Sequence, residues 1–268
     1  MSAKISFVGG GNMAEAMLSA LLQKGIAPLD NICVSDLKAE RRQFLVKKYG
    51  IRVVENNHQA VAGADMVVLA VKPQDIVTVM ADIKGDLKPE QLVLSIIAGA
   101  GIAKLERGLG HRRIVRVMPN TPAQIGQGMS VWTATPEVSD AQKKLASSVL
   151  KAMGKETMVS DEDFIDKATA VSGSGPAYLF LFVEALTAAA ESLGFTPEVA
   201  SELVLQTVSG SSRFLAESGR TAAELRRMVT SPGGTTAAAL AVFEQGRFAE
   251  LVKEAVAAAY RRARELGK

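Results

Sequence analysis

Lys4-Ile5-Ser6-Phe7-Val8-Gly9-Gly10-Gly11-Asn12-Met13-Ala14 is the stretch whose reading decides the fold. Lys4 to Val8 is a short, partly apolar strand candidate, and a helical pattern (Met13, Ala16, Met17, Ala20, Leu21) begins directly after the glycines. Gly9 and Gly11, with Ala14 as the small third residue, have the spacing of a dinucleotide-binding turn in its required strand–turn–helix setting. The first glycine makes the sharp turn, the second lets a diphosphate touch backbone, and the small residue permits close helix–strand packing. The diphosphate would sit on amides of the helix N-terminus, around Asn12 and Met13. A second strand from Asn31 to Ser35 ends at Asp36, where an acid contacting the ribose is expected, so Ser35 and Asp36 join the cofactor candidates.

Outward from this turn, the first half alternates strand and helix. Further strands are predicted at Arg52–Val54, Met66–Ala70, Leu92–Ile97, Arg113–Met118, Met129–Thr133 and Glu156–Val159. Helical patterns lie at Ala39–Lys48, Gln74–Met80, Ile102–Arg107 and Asp140–Met153. Short, fully apolar strands such as Met66–Ala70 predict an α/β, doubly wound, mostly parallel sheet. After Ser160 the chain reads as almost wholly helical, which places a domain boundary there: 1–160 for the nucleotide domain and 161–268 for an all-α domain. Ser172-Gly173-Ser174-Gly175-Pro176 is expected to bend or break a long helix running from Asp161 toward Leu193. Thr196-Pro197 and Thr221-Ala222-Ala223-Glu224 are helix starts, and a last helix begins near Arg247. Several of these helices are apolar on more than one face, which predicts burial against another subunit.

Composition narrows the class. The chain has 268 residues, a formal charge of +3 and 48% hydrophobic residues, enough for one large or two modest domains. No apolar run is long enough to span a membrane, and the immediate entry into a strand leaves no room for a signal peptide. With Cys33 as the single cysteine and His58 and His111 as the only histidines, neither a disulfide framework nor a Cys/His metal site is expected. Cys33 reads as a small buried hydrophobe, both histidines as surface residues, and the protein as a reduced, cytoplasmic enzyme. Basic residues are scattered and aromatic residues few, so nucleic acid is not an expected partner.

Other segments suit a nicotinamide site. Ala70-Val71-Lys72-Pro73, Ala98-Gly99 and the stiff loop Met118-Pro119-Asn120-Thr121-Pro122 each follow the C-terminal end of a strand, where open α/β sheets bind ligands. In the second half, Ser172 and Gly173 offer backbone groups and a hydroxyl to a small polar molecule. The run Thr230-Ser231-Pro232-Gly233-Gly234-Thr235-Thr236 leads glycine amides into an apolar helix from Ala237, a donor cluster suited to a carboxylate or phosphate. No histidine neighbours a glycine-rich site, no carboxylate pair is placed for hydrolysis, and no Gly-Lys-Ser/Thr phosphate loop occurs. A reduction without a strong protein acid best suits a C=N bond, since a protonated imine is already electrophilic and needs only orientation and one hydrogen bond.

Taken together, these motifs resemble pyrroline-5-carboxylate reductases. The match spans essentially the whole chain, and its most specific parts are Ser172-Gly173-Ser174-Gly175-Pro176-Ala177-Tyr178 and Ser231-Pro232-Gly233-Gly234-Thr235-Thr236. The resemblance implies an N-terminal Rossmann domain and a helical domain that interlocks with a second subunit as a homodimer, with dimers assembling further in some members. It implies hydride transfer from NAD(P)H to 1-pyrroline-5-carboxylate, giving L-proline in the last step of proline biosynthesis. Ser231, Gly233 and the amides of Gly234, Thr235 and Thr236 would then hold the substrate carboxylate, and Thr236 would hydrogen-bond the ring nitrogen. Asn57 would lie near the adenosine ribose, and Ala70, Val71 and Lys72 along the cofactor. Asp36 physically favours the free 2′-hydroxyl of NADH, whereas Lys38, Arg41 and Arg42 and the family's habit favour NADPH, which is the expected cofactor. A β-hydroxyacid dehydrogenase would have a similar plan, but its catalytic lysine has no counterpart after Gly175.

Overall fold

A computed structural model describes residues 3–267. Strands β1 (Ile5–Val8), β2 (Ile32–Ser35), β3 (Arg52–Val54), β4 (Met66–Leu69), β5 (Leu92–Ser95), β6 (Ile114–Met118), β7 (Gly128–Ala134) and β8 (Gly154–Met158) form one sheet. Its helices are α1 (Asn12–Gln23), α2 (Ala39–Tyr49), α3 (Asn57–Val61), α4 (Ile76–Ile83), α5 (Ile102–Leu109) and α6 (Asp140–Ala152). The order β3-β2-β1-β4-β5-β6-β7-β8 is doubly wound, parallel throughout except where β7 runs antiparallel to β6. The chain reverses direction across the sheet between β1 and β4, so the crevice beyond their C-terminal ends is the expected ligand site.

Period-two alternation sorts the strand residues into two cores. Met66 and Val68 join Ile5, Phe7, Met17 and Leu21 on one face, while Val67 and Leu69 join Val8, Ile76, Met80 and Leu105 on the other. Helix α6 starts with a capping box in which Ser139 and Gln142 satisfy each other's backbone amides.

One histidine departs from its predicted place. His58 is exposed, but His111 is buried, because Gly110 ends α5 in the left-handed conformation and turns the chain inward before β6. The ring Nε2 of His111 then bonds the Gln91 carbonyl at 2.8 Å. Burial lowers its pKa against the opposing pull of that carbonyl, so the ring is a neutral donor.

The predicted interruption of the long helix takes the form of a π turn followed by a bend at Ser174. After α7 (Asp163–Ala168) the backbone stays helical through a π turn, Thr169–Gly173, in which Ser174 N–H donates to Thr169 O at 2.8 Å. Pro176 falls at the second position of α8 (Gly175–Ser192), where its missing N–H leaves no acceptor unpaired.

Two compact units part at this point. The first takes in the chain up to Ser174 together with the tail from Ala259; the second is Gly175–Ala258. The second unit holds α8, α9 (Pro197–Glu217), α10 (Ala222–Met228), α11 (Thr235–Gln245) and the start of α12 (Phe248–Leu266). Thr196 caps α9 with Pro197 at its first position, and Thr221 and Glu224 form the expected capping box on α10. Although α8 is strongly apolar, none of its residues is buried within the chain, and Phe180 and Leu181 are 58% and 66% exposed. Among the described residues, no helix is long and apolar enough to cross a membrane.

The end of α12 seats on the loop after β5. Gly99 has φ 73°, and a Cβ there would stand 2.7 Å from the Leu266 carbonyl oxygen. Gly99→Ala therefore combines left-handed strain with a backbone clash and is expected to destabilise the protein by about 2 kcal/mol or more. Denaturant titration at fixed protein concentration measures this.

Candidate active site

A cleft of about 440 Å³ opens at the switch point between β1 and β4. It is lined by Gly9, Gly11, Asn12, Ser35, Asp36, Asn57, Ala70, Val71 and Lys72, nine residues the sequence reading assigned to a cofactor. The glycines have separate reasons to be glycine. Gly9 has φ 96°, and a Cβ would lie 2.9 Å from the Ala70 carbonyl oxygen, so the fold itself requires it. Gly10 is held by packing, since a Cβ would stand 2.8 Å from Leu45 Cδ1. Gly11 has no such constraint: its φ is −66°, and a Cβ would meet nothing within 4 Å. That open space lies at the N-terminus of α1, whose first amides no side chain caps among the described residues. These residues fit the diphosphate of a dinucleotide.

Around the ribose position, the polar groups are tied to the protein. Asp36 Oδ2 accepts from Gly10 N–H at 2.9 Å, and its Oδ1 accepts from Lys38 N–H at 2.8 Å. The carboxylate thus staples the glycine turn to the end of β2. Arg41 donates to the Gly10 carbonyl and pairs with Glu15, while Arg42 donates to the Asp36 and Leu37 carbonyls and pairs with Glu55. Burial raises the Glu15 pKa, but bonds from Lys48, Arg41 and Tyr49 outweigh it and hold the group at about 2. Lys38 also lines the cleft, and among the described residues it and Lys72 are the cleft cations without an ion-pair partner. The Ser35 hydroxyl donates to Asn57 Oδ1 at 2.7 Å, fixing the amide that faces the cleft. Gln74, Asp75 and Val79 also line the cleft and were not read from the sequence, because nothing in their local pattern marks them.

The remaining cofactor candidates lie outside this cleft. Met13 packs against the core beneath α1, and Pro73 opens the turn leading to α4. Ala98, Gly99 and Asn120 lie beyond β5 and β6, farther along the same edge of the sheet. Asn120 accepts from Met129 N–H at 2.8 Å and donates to the Ser172 carbonyl at 3.0 Å, fastening the π turn. The Ser172 hydroxyl is itself used, donating to the Ala168 carbonyl at 3.1 Å, and Gly173 lies against Met118. Arg116, missed in the sequence, is buried in β6 and pairs with Glu162 at 2.7 Å and Asp166 at 2.6 Å, anchoring α7 below that turn. Its one clue was a charge inside an otherwise apolar strand.

The second unit carries the other glycine-rich feature. Ser231 to Gly234 is a tight turn with Pro232 second and Gly233 third at φ 70°, closed by Gly234 N–H donating to Ser231 O at 3.1 Å. Gly234 then begins α11 with no side-chain cap. Because the Gly234 amide is used in the turn, the amides of Thr235 and Thr236 are those presented at the helix N-terminus. A carboxylate placed there would be met by N–H donors and the positive end of the helix, with the Ser231 and Thr236 hydroxyls nearby in sequence.

Two family models match the chain: "Pyrroline-5-carboxylate reductase dimerisation" over residues 162–266 and "NADP oxidoreductase coenzyme F420-dependent" over residues 4–99. A pyrroline-5-carboxylate reductase of Pseudomonas aeruginosa is 47% identical, over 99% of this chain and 97% of its own. The solved structure of a pyrroline-5-carboxylate reductase from Coxiella burnetii superposes with a TM-score of 0.92 at 43% identity, covering 100% of both chains. The Plasmodium falciparum pyrroline carboxylate reductase, solved with NADP bound, superposes at 0.90 with 31% identity over 99% of this chain and 98% of its own. Likeness of this extent runs through both the nucleotide cleft and the helical unit, and the chain belongs to the pyrroline-5-carboxylate reductase family.

Proposed function

We propose that the protein reduces 1-pyrroline-5-carboxylate to L-proline with NADPH, the last step of proline biosynthesis. The observation that carries this reading is the full-length 47% identity to a reductase of that name, in a chain that also has an open Gly11 turn. When bound, NADPH supplies a hydride to the imine carbon, and a proton on the ring nitrogen completes the secondary amine. The chain's own residues do the rest. Gly9, Gly11, Asn12, Ser35, Asp36, Asn57, Ala70, Val71 and Lys72 hold and orient the cofactor, with Met13, Pro73, Ala98, Gly99 and Asn120 shaping its surroundings. The Thr235 and Thr236 amides, with Ser231, Gly233 and Gly234, take the substrate carboxylate. Thr236 Oγ1 accepts the hydrogen bond of the protonated imine nitrogen.

NADPH is preferred over NADH in this reading. Both oxygens of Asp36 are engaged by backbone amides, and Lys38 and Arg41 place positive charge beside the ribose position. The division near residue 160 into a nucleotide domain and a substrate and dimerisation domain is part of the same proposal. Dimerisation is supported by the exposed apolar surface of α8, α9 and α11, including Phe214 and Val242, which a lone chain would leave in water. The enzyme would act in the cytoplasm as a homodimer, with further assembly of dimers open to it.

The test is to mix the protein with 1-pyrroline-5-carboxylate and each cofactor while following nicotinamide absorbance. Oxidation of NADPH with proline as product is the expected result, with kcat/KM higher for NADPH than for NADH. No turnover with this substrate would reject the activity, and a large NADH preference would reject the cofactor.

A further inference from the structure

His58 lies next to the cleft residue Asn57 and is bound to two carboxylates on the other side. We infer that His58 is a positioning residue which, through Asp82, holds Asn57 at the nucleotide cleft and makes cofactor affinity depend on its own protonation. The inference rests on the reading of this cleft as the NADPH site.

The contacts form a continuous chain. Ser35 donates to Asn57 Oδ1 at 2.7 Å, and Asn57 Nδ2 donates to Asp82 Oδ2 at 2.9 Å. The other Asp82 oxygen lies 3.2 Å from His58 Nε2, and His58 Nδ1 bonds Asp86. The backbone of His58 is fixed as well, since Asn56 caps α3 by accepting from His58 N–H at 2.7 Å. The Asn57 amide is therefore gripped at both ends, and the grip on its nitrogen end depends on where Asp82 points.

Protonation decides that. An imidazolium has two N–H donors and can serve both aspartates, whereas neutral imidazole has one. On losing the proton, one carboxylate loses its partner and two like charges face each other across the ring. The groups around His58 make the protonated form the favoured one. The α4 side presents Asp82 and Asp86. Strand β1 carries no charge, β2 offers only Cys33, Arg52 of β3 acts on that thiol, and Glu55 is paired with Arg42. The bond to Asp86 raises the His58 pKa most, burial opposes it, and the charges of Asp86 and Asp82 raise it further. His58 is 46% exposed, so the expected effect on affinity is modest, about two- to fivefold, as for a partly solvated ion pair.

The experiment measures NADPH dissociation constants by fluorescence from about pH 6 to 9, a range that covers a histidine titrating above its ordinary value. For the wild-type protein, affinity should fall about two- to fivefold as pH rises through the His58 pKa. Asp86→Asn removes the main cause of the raised pKa and should move the midpoint to lower pH. His58→Gln, which cannot titrate, should give a flat profile at the weaker affinity. The cofactor's own 2′-phosphate is the same in every arm, so a midpoint that moves with the protein variant belongs to the protein. An identical midpoint in wild type and Asp86→Asn, or an unchanged profile in His58→Gln, would overturn the role of His58 and leave the cleft assignment standing. Failure of NADPH to bind at any pH would overturn both.

Discussion

Gly11→Val is expected to weaken NADPH binding by about 100-fold or more, the equivalent of roughly 3 kcal/mol, while the protein still folds. The expectation follows from an asymmetry among three adjacent glycines. At Gly9 any side chain must adopt a left-handed backbone and press on the Ala70 carbonyl, so its replacement damages the fold before it touches a ligand. At Gly10 a side chain runs into Leu45. At Gly11 the backbone is one that any L-residue adopts and the space is open. Valine there would occupy the approach to the uncapped α1 amides and nothing else. The protein-side penalty is limited to exchanging a glycine N-cap for a poorer one, about 1 kcal/mol. Isothermal titration with NADPH, paired with a thermal melt, separates the two effects. Retained affinity in a folded Gly11→Val protein would mean that the diphosphate binds elsewhere. Gly9→Ala serves as the contrast, losing stability and binding together.

The parts of this molecule legible in the sequence are those where local chemistry and tertiary demand coincide. Met66 to Leu69 is apolar because both faces of β4 are covered, and a continuous apolar run is what such a strand looks like. Thr196-Pro197 and Thr221 to Glu224 act within a few residues of themselves, so their caps could be read directly. The illegible parts depend on distant partners. His111 looks like a turn residue until Gly110 folds it onto the Gln91 carbonyl, a strand away. The serines and glycines around residue 172 mark an interrupted helix, but the form of the interruption, a π turn whose Ser172 carbonyl accepts from Asn120, is set by a distant partner. Asp36 was read as a ribose ligand from its position after β2, but only the fold reveals that the Gly10 and Lys38 amides already bind it. For the same reason, the candidate site was more legible in its glycines than in its polar side chains. A glycine's role is set by its own backbone, whereas a carboxylate or amide takes its role from whatever it meets.

Thr236→Ala should lower kcat by about 10-fold or more with little change in NADPH affinity, because it removes one oriented hydrogen bond to the reacting nitrogen. Thr236 is the second residue of α11, where alanine is a better helix former than threonine, and its side chain makes no hydrogen bond among the described residues. The fold therefore loses nothing that would confuse the kinetics. Its backbone amide survives the substitution, so the carboxylate site at the helix N-terminus is retained and KM for the pyrroline should move less than kcat. Thr236→Ser keeps the hydroxyl and should recover most of the rate, while Ser231→Ala, which acts on the carboxylate alone, should raise KM more than it lowers kcat. Steady-state kinetics of these variants at saturating NADPH provide the comparison. Equal kcat in wild type and Thr236→Ala would remove the hydroxyl from the chemistry. The reduction would then depend only on the substrate's own protonated nitrogen and on the placement given by the Thr235 and Thr236 amides.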